Sequence, residues 1–446
     1  MDQQRLERAL REGPKFATRY VPRPFGLENE PAGRRASGRQ VVMLIAVTAL
    51  LMAGMLAGLA ALGVWRDSER ASSNGWIAVS ANPWDVIGGE SGDIYLLSEG
   101  DAPRRIIGSD RDGIAQACPQ FSPDGTMLAY GEASAGGRPT NNMRRFWLVP
   151  RRAVVVVGFD SSGAISAPIA RVTLPPEEGD MPCPEWSPDG RSIAFRDRHD
   201  LWVADAESGE TTAFDITSLR EQERGPFAWS SDGSHIAIVE SDAIRVLRLD
   251  DGMSSLIEVP GGTPDSVAWA DGNATIAYIP TDAGTFFGGL AVHVVGVDGQ
   301  NDRQLTPDSS DPQTRHEFYG AVVSPDGTRL AFVEHSYRCT TVFGPSASPI
   351  RCPTSLVLVT MDLDGSNLVE FPIPDAIFTP GIALEDYFGL QWSPDGERLL
   401  LSSGAGVVSV SAASSSAVIV HSSGDELNLE WSASRVAWQP VVTDDQ

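Results

Sequence analysis

The chain has 446 residues, 42% of them apolar, and a formal net charge of −25 at pH 7. That is enough apolar material for a large core in one to three domains. Its acidity argues against a nucleic-acid partner, whose phosphates would repel it. Four cysteines without a Cys-x-x-Cys and six histidines with none paired at i, i+2 or i+4 leave no zinc-type ligand spacing, so neither metal nor cofactor is expected.

In chain order, residues 1–40 carry nine Lys/Arg and five Asp/Glu. Their stretch RLERALREG (5–13) reads as a short helix, marginal on its own in water, within a solvated tail. Residues 41–64 (VVMLIAVTALLMAGMLAGLAALGV) are 24 positions without a charge. As a helix they extend about 36 Å, enough to cross the hydrocarbon core of a bilayer. The basic flank lies on the N-terminal side, whereas Asp67 and Glu69 offset the two arginines of WRDSER. The positive-inside rule then places 1–40 in the cytoplasm and everything after 64 outside it. The rival reading, a cleaved signal peptide, needs a 40-residue basic region and a 24-residue apolar core, both too long. No cysteine lies in or just after the span for a lipoprotein anchor. Gly54 and Gly58 form a small-xxx-small pattern that allows a weak helix–helix dimer. Residues 65–73 are a short polar linker.

From 74 to 441 the chain repeats itself, and 442–446 is a tail. The unit reads FSPDGTMLAY (121–130), WSPDGRSIAF (186–195), WSSDGSHIAI (229–238), WADGNATIAY (269–278), VSPDGTRLAF (323–332) and WSPDGERLLL (392–401), with a worn copy, WSASRVAW, at 431–438. Their first residues are 65, 43, 40, 54, 69 and 39 positions apart, and the floor of about 40 residues is that of one four-stranded propeller blade. Ser, Pro and Gly at the first, second and fourth positions of Ser-Pro-Asp-Gly suit a type I turn between two apolar strands. A third strand follows, such as DIYLL (93–97), DLWVAD (200–205) or SLVLVTM (355–361), and then a fourth, such as RRIIG (104–108) or LVEFPI (368–373). We name these strands A to D. One such sheet cannot cover both of its faces, so the sheets must stack radially.

The first strands, GWIAVSA (75–81) and DIYLL, have no Ser-Pro-Asp-Gly hairpin before them, and the last copy has no third or fourth strand after it. The expected fold is therefore all-β: a seven-bladed propeller closed by strands from both ends. Six or eight blades are the other counts left open by the duplicated Ile-Ala-Val (77–79) and Val-Ala-Trp (436–438). The repeats, with the tails VDGQNDRQLT (297–306) and MDLDGSN (361–367), resemble the TolB-type, WD40-like propeller repeat over about 74–441. Val323 and the missing Pro-Asp-Gly at 431–438 depart from it. The resemblance implies interaction with envelope proteins or peptides and no known reaction.

Cys118 and Cys183 occupy the same place in adjacent blades, three residues before the aromatic, which predicts a bridge between neighbouring inner strands. Cys339 and Cys352 bracket a short interval and are expected to close a loop. Both bridges suit an oxidising compartment. There is no Gly-x-Ser-x-Gly or His-Glu-x-x-His. The Asp-rich turns SDRDG (109–113) and MDLDGSN read as turn chemistry rather than as a calcium site.

The long connections (131–145, 174–183, 281–290, 307–319, 334–354 and 374–388) all fall on the face opposite the Ser-Pro-Asp-Gly turns. Loops set on a rigid scaffold are where binding resides. On that face we place a candidate partner surface of Glu177, Glu178, Asp180, Phe286, Phe287, Tyr337, Phe343, Glu385, Asp386 and Tyr387. It suits a partner of basic character, steered by charge. The expectation is a membrane-anchored, extracytoplasmic binding or scaffolding module of a bacterial envelope and not an enzyme. A propeller lyase or glycoside-active enzyme using paired carboxylates at the channel mouth is the first alternative, and an envelope sensor relaying to a cytoplasmic partner the second.

Overall fold

The computed structural model describes residues 75–83, 92–108, 114–134, 148–149, 152–175, 177–178, 182–197, 199–216, 226–260, 262–281, 289, 291–306, 314–338, 354–373, 389–403, 406–413, 417–422, 427–429 and 436–440. The tail, the 41–64 span with Gly54 and Gly58, and the linker lie outside the described residues. Among the described residues, no helix is long and apolar enough to cross a membrane.

Six blades are four-stranded antiparallel meanders, each with its strands in sequence order. Blade 2 is Ile114–Phe121, Met127–Ser134, Arg152–Phe159 and Ile165–Leu174. Blade 3 is Glu185–Trp186, Ser192–Arg196, Asp200–Asp205 and Thr211–Asp215. Blade 4 is Phe227–Trp229, His235–Val239, Ala243–Arg248 and Ser254–Glu258. Blade 5 is Pro264–Ala270, Thr275–Pro280, His293–Gly296 and Arg303–Gln304. Blade 6 is Thr314–Val323, Arg329–Arg338, Thr354–Asp362 and Val369–Pro372. Blade 7 is Gly389–Trp392, Arg398–Ser403, Gly406–Ser411 and Ala417–Ser422.

Blade 1 is built from both ends. Ile77–Pro83, Asp93–Leu97 and Arg104–Ile107 are its B, C and D strands. Leu427–Leu429 and Val436–Trp438 lie along the same edge of Ile77–Pro83 and together make one interrupted A strand. This corrects the reading of 431–438 as a repeat copy starting at its first tryptophan. Trp438 pairs with Ile77 as Trp186 pairs with Ile193 and Trp392 with Leu399. The tryptophan of the seventh repeat is therefore Trp438, and Trp438-Gln439-Pro440 stands where other blades have Trp-Ser-Pro. The sequence signal misled because WSASRVAW carries a tryptophan at both ends, and only strand pairing decides between them.

The Ile-Ala-Phe signature has a packing cause. Side chains alternate across a strand, and in every B strand the two large residues face one neighbouring blade while the middle residue faces the other. Ile193 and Phe195 join a cluster with Val154, Val156 and Trp186, whereas Ala194 packs with Phe227, Ile236 and Ile238. Leu330 and Phe332 face blade 5, and Ala331 faces blade 7. Each of the seven blade interfaces holds one buried apolar cluster of this kind. Burying one such Ile or Phe contributes about 1.5–3 kcal/mol.

The repeat tryptophans also tie blades together through polar contacts. The indole N–H of Trp186, Trp229, Trp269 and Trp392 donates to the carbonyl oxygens of Gln120, Glu185, Ala228 and Val322, each in the preceding blade, at 3.0–3.2 Å. The indole nitrogen of Trp438 is buried without an acceptor among the described residues.

Candidate functional site

The two faces of the ring differ in kind. On one, the Ser-Pro-Asp-Gly turns form a collar. In each, the glycine amide donates to the serine carbonyl at 2.8–2.9 Å, and the glycine takes φ near +70°, where a side chain would be strained. The serine hydroxyl donates to the aspartate carboxylate at 2.5–2.7 Å and accepts the amide five residues on at 2.9 Å. The Ser187 and Ser230 hydroxyls and the nearby amides hold the Asp189 and Asp232 carboxyls below the usual range. For Asp232, where Ser234 contributes most, the value falls to about 2.

Neighbouring turns touch. A side chain added at Gly190, Gly233 or Gly396 would meet Pro123, Pro188 or Pro325 of the preceding turn, and one at Gly125 would meet Pro440. Blade 4 has Ser231 in place of proline and blade 5 lacks the Ser-Pro-Asp-Gly turn, and the two departures fit each other. The amide and hydroxyl of Ser231 both donate to Asn273 Oδ1, at 2.6 and 2.8 Å. Asp271, Gly272 and Asn273 adopt left-handed backbone to reach there. A cleft of about 920 Å³ opens beside this turn between blades 5 and 6, lined by Val294, Asp298, Arg303, Thr328 and Asp362 among others. The sequence reading passed over it. Its only signal is that WADGN breaks the repeat.

The expected bridge is present. Cys118 and Cys183 are joined, with Cα atoms 5.2 Å apart, and pin the inner strands of blades 2 and 3. Cys118 has φ +55° at a register shift in its strand, and its amide donates to Ser80 Oγ at 3.1 Å. Blade 6 repeats the device at Gly320-Ala321, whose amides donate to Asp265 Oδ2 and Ser266 Oγ.

On the opposite face the connections are long, and two candidate regions prove to be strands rather than loops. Glu177–Glu178 pairs with Leu148–Val149, so the connection after blade 2 is stitched to that blade's own B–C insertion. The blade 6 hairpin runs to Arg338, placing Tyr337 opposite Arg315 and shortening the expected 334–354 loop to 339–353. RLAFVEHSYR (329–338) pairs along its length with TRHEFYGAVV (314–323), and the ladder continues past the usual blade height. At this end the sequence reading missed a polar group: His316 Nδ1 lies 2.6 Å from Glu334 Oε1, and on the other side of the hairpin the Tyr319 hydroxyl donates to buried Glu317 at 2.8 Å, across from His335. Burial pushes the His335 imidazole down to about 4. Closely spaced His and Glu at 316–317 and 334–335 were the available signal. Asp180, Phe286, Phe287, Cys339, Phe343, Cys352, Glu385, Asp386 and Tyr387 lie outside the described residues, as does 109–113. MDLDGSN is a C–D turn in which Asp364 accepts the Ser366 amide at 2.8 Å.

The site's frame is thus a seven-bladed β-propeller with one collar of interlocked turns and one face of long connections. No protein-family model and no curated protein matches the chain. Among solved structures it is similar to TolB from Acinetobacter baumannii, at 12% identity over 81% of this chain and 82% of that one with a TM-score of 0.42. It is similar to oligogalacturonate lyase from Vibrio parahaemolyticus, at 12% over 78% and 86% with a TM-score of 0.46. A functionally unknown protein from Desulfotomaculum acetoxidans matches at 10% over 82% and 100%, with a TM-score of 0.49. The blade count rests on the strand pairings, and none of these proteins lends this one its function.

Proposed function

We propose that this chain is a membrane-tethered, extracytoplasmic propeller that binds a protein or peptide partner of the bacterial envelope through its face of long connections, and that it acts by binding rather than by catalysis. The observation that carries the reading is the Cys118–Cys183 bridge joining neighbouring blades. Such bonds persist in oxidising compartments, where the charge bias around 41–64 also puts the propeller. The contrast of faces supports the location of the surface: interlocked short turns on one side, and on the other the connections bearing Glu177 and Glu178. The candidate acids favour a basic partner whose association slows as salt rises.

The test is cross-linking in intact cells followed by capture of the full-length protein. Shortening 339–353, or reversing charge with Glu177→Lys and Glu178→Lys, should remove the captured partner, while Glu207→Lys on a turn of the other face leaves it. Loss with Glu207→Lys alone would place the surface on the wrong face.

A further inference from the structure

The cleft between blades 5 and 6 lies where the collar lacks a proline contact. Asp271 stands in the proline's place, two residues after Trp269 as Pro188 follows Trp186. A side chain added at Gly327 would meet only the backbone nitrogens of Asp271 and Gly272, at 3.9 and 4.0 Å. A backbone bond joins the two turns there, from the Asp271 amide to the Gly327 carbonyl at 3.3 Å. The missing ring leaves room, and its replacement brings a carboxylate to the opening. That carboxylate is exposed and accepts no hydrogen bond among the described residues. Both walls are set before anything binds. The Asp298 carboxylate accepts the Gln300 amide at 2.9 Å, and that of Asp364 the Ser366 amide at 2.8 Å. The Arg303 guanidinium reaches from blade 5 to the carbonyls of Leu363 and Asp364 in blade 6.

Two properties of this space define what fits it. Its volume of about 920 Å³ is within the range of small-ligand sites, and it opens onto the core. Val294 and Leu363, which line it, belong to the apolar cluster packed between these two blades, so an apolar group entering the cleft extends a surface already buried on one side. Around that floor stand Asp271, Asp298, Asp362 and Asp364, against Arg303 and Arg329. The Arg329 guanidinium is turned toward blade 7, where it lies 4.7 Å from the centre of the Trp392 ring and donates to the Gly396 carbonyl at 2.7 Å. Four carboxylates against two guanidiniums leave the cleft negative. From this we propose that the cleft binds a short peptide segment in which an arginine or lysine adjoins an apolar side chain, at a site separate from the face of long connections. The apolar side chain enters over Val294 and Leu363, and the cation meets the carboxylates at the margin. An anionic ligand would be repelled there, and a second copy of this chain would bring its own net charge of −25. Because the walls are preorganised, little ordering cost opposes binding.

The experiment titrates the full chain in detergent micelles with the blocked peptide acetyl-Gly-Leu-Arg-Leu-Gly-amide, followed by calorimetry. Its citrulline counterpart keeps the shape of the arginine and removes the charge. The arginine peptide should bind at least about tenfold more tightly than the citrulline one, and more weakly as salt rises. Asp271→Asn with Asp298→Asn should weaken it by about tenfold. Ala274→Trp, which places a ring in the cleft, should abolish binding, and Glu207→Gln on the blade 3 C–D turn should leave it unchanged. All four positions are exposed, so the variants keep the fold. No binding of the arginine peptide at millimolar concentration, or equal binding of the citrulline peptide, overturns the proposal. Binding that survives Ala274→Trp places the peptide outside the cleft, and an equal loss with Glu207→Gln shows attraction to the acidic surface as a whole; either result also overturns it.

Discussion

Gln439 and Trp76, 363 positions apart in sequence, exchange two hydrogen bonds, one from each backbone amide. Gln439 is buried, and its Nε2 also donates to the Gly125 carbonyl at 3.1 Å. One side chain thus does for the closing blade what the turn serine does in the others, and it joins blade 1 to the collar. Gln439→Ala leaves the Trp76 amide and the Gly125 carbonyl without these partners and should cost about 1–3 kcal/mol, read as a lower midpoint of denaturant unfolding. Truncation after 434 also removes Val436–Trp438, exposes the edge of Ile77–Pro83 and should give association between chains, seen by light scattering. An unchanged midpoint and a monodisperse truncated chain would contradict this closure.

The tryptophans allow a comparison within one molecule. Trp229→Phe removes the indole donor to Glu185 and leaves that carbonyl short of a partner, whereas Trp438→Phe removes an indole N–H that has no acceptor among the described residues. Beyond the loss of ring size common to both, Trp229→Phe should be the more destabilising by about 1 kcal/mol. Equal costs in thermal unfolding would mean that the inter-blade hydrogen bonds contribute nothing net.

Much of this ring was legible because its determinants are local. Ser-Pro-Asp-Gly specifies its own turn, and Ile-Ala-Phe reports two blade neighbours at once through alternation. Closure was legible only in outline. Choosing Trp438 over the tryptophan seven residues earlier depends on pairing with Ile77, and no local pattern contains that pairing. The Cys118–Cys183 bridge could be read because equivalent positions of a repeat are neighbours in the ring. Tyr337 and Glu177–Glu178 were misjudged as loop residues because hairpin extension and the small Leu148–Val149 ladder depend on long-range partners. The Asn273–Ser231 contact escaped notice for the same reason, although each residue is visible as a break in its own repeat.

The Cys118–Cys183 bridge spans a separation of 65 residues. A covalent closure of that size stabilises by about 2–4 kcal/mol through the unfolded chain. Cys118→Ala with Cys183→Ala should lower the denaturant midpoint by a corresponding amount and leave the strand signal in circular dichroism unchanged, because the seven apolar clusters remain. Loss of the fold would show that the bridge, rather than blade stacking, holds the ring together.

Acid should act in two windows. The His335 imidazole has a folded value lowered to about 4 by burial, against about 6.5 in the unfolded chain. Below 6.5 the unfolded state binds the proton first, so stability falls between about pH 6.5 and 4. Asp232, held at about 2 by its hydrogen bonds to Ser234 and Ser230, contributes stability that is full above the unfolded value of about 3.9 and is lost as pH falls toward 2. In a series of unfolding midpoints, His335→Gln should flatten the upper window and Asp232→Ala the lower. A wild-type midpoint that stays level from pH 7 to 4 would contradict the buried neutral imidazole.

Protease added to spheroplasts that carry the full-length protein tests the placement of the propeller most directly. With epitopes at the N-terminus and after Gln446, the account predicts that the C-terminal epitope and the propeller are removed or shed while the tail of residues 1–40 survives on a membrane-protected fragment ending beyond 64. A propeller protected until the membrane is lysed, with the N-terminal epitope digested or protected alongside it, would contradict the extracytoplasmic binding module proposed for this chain.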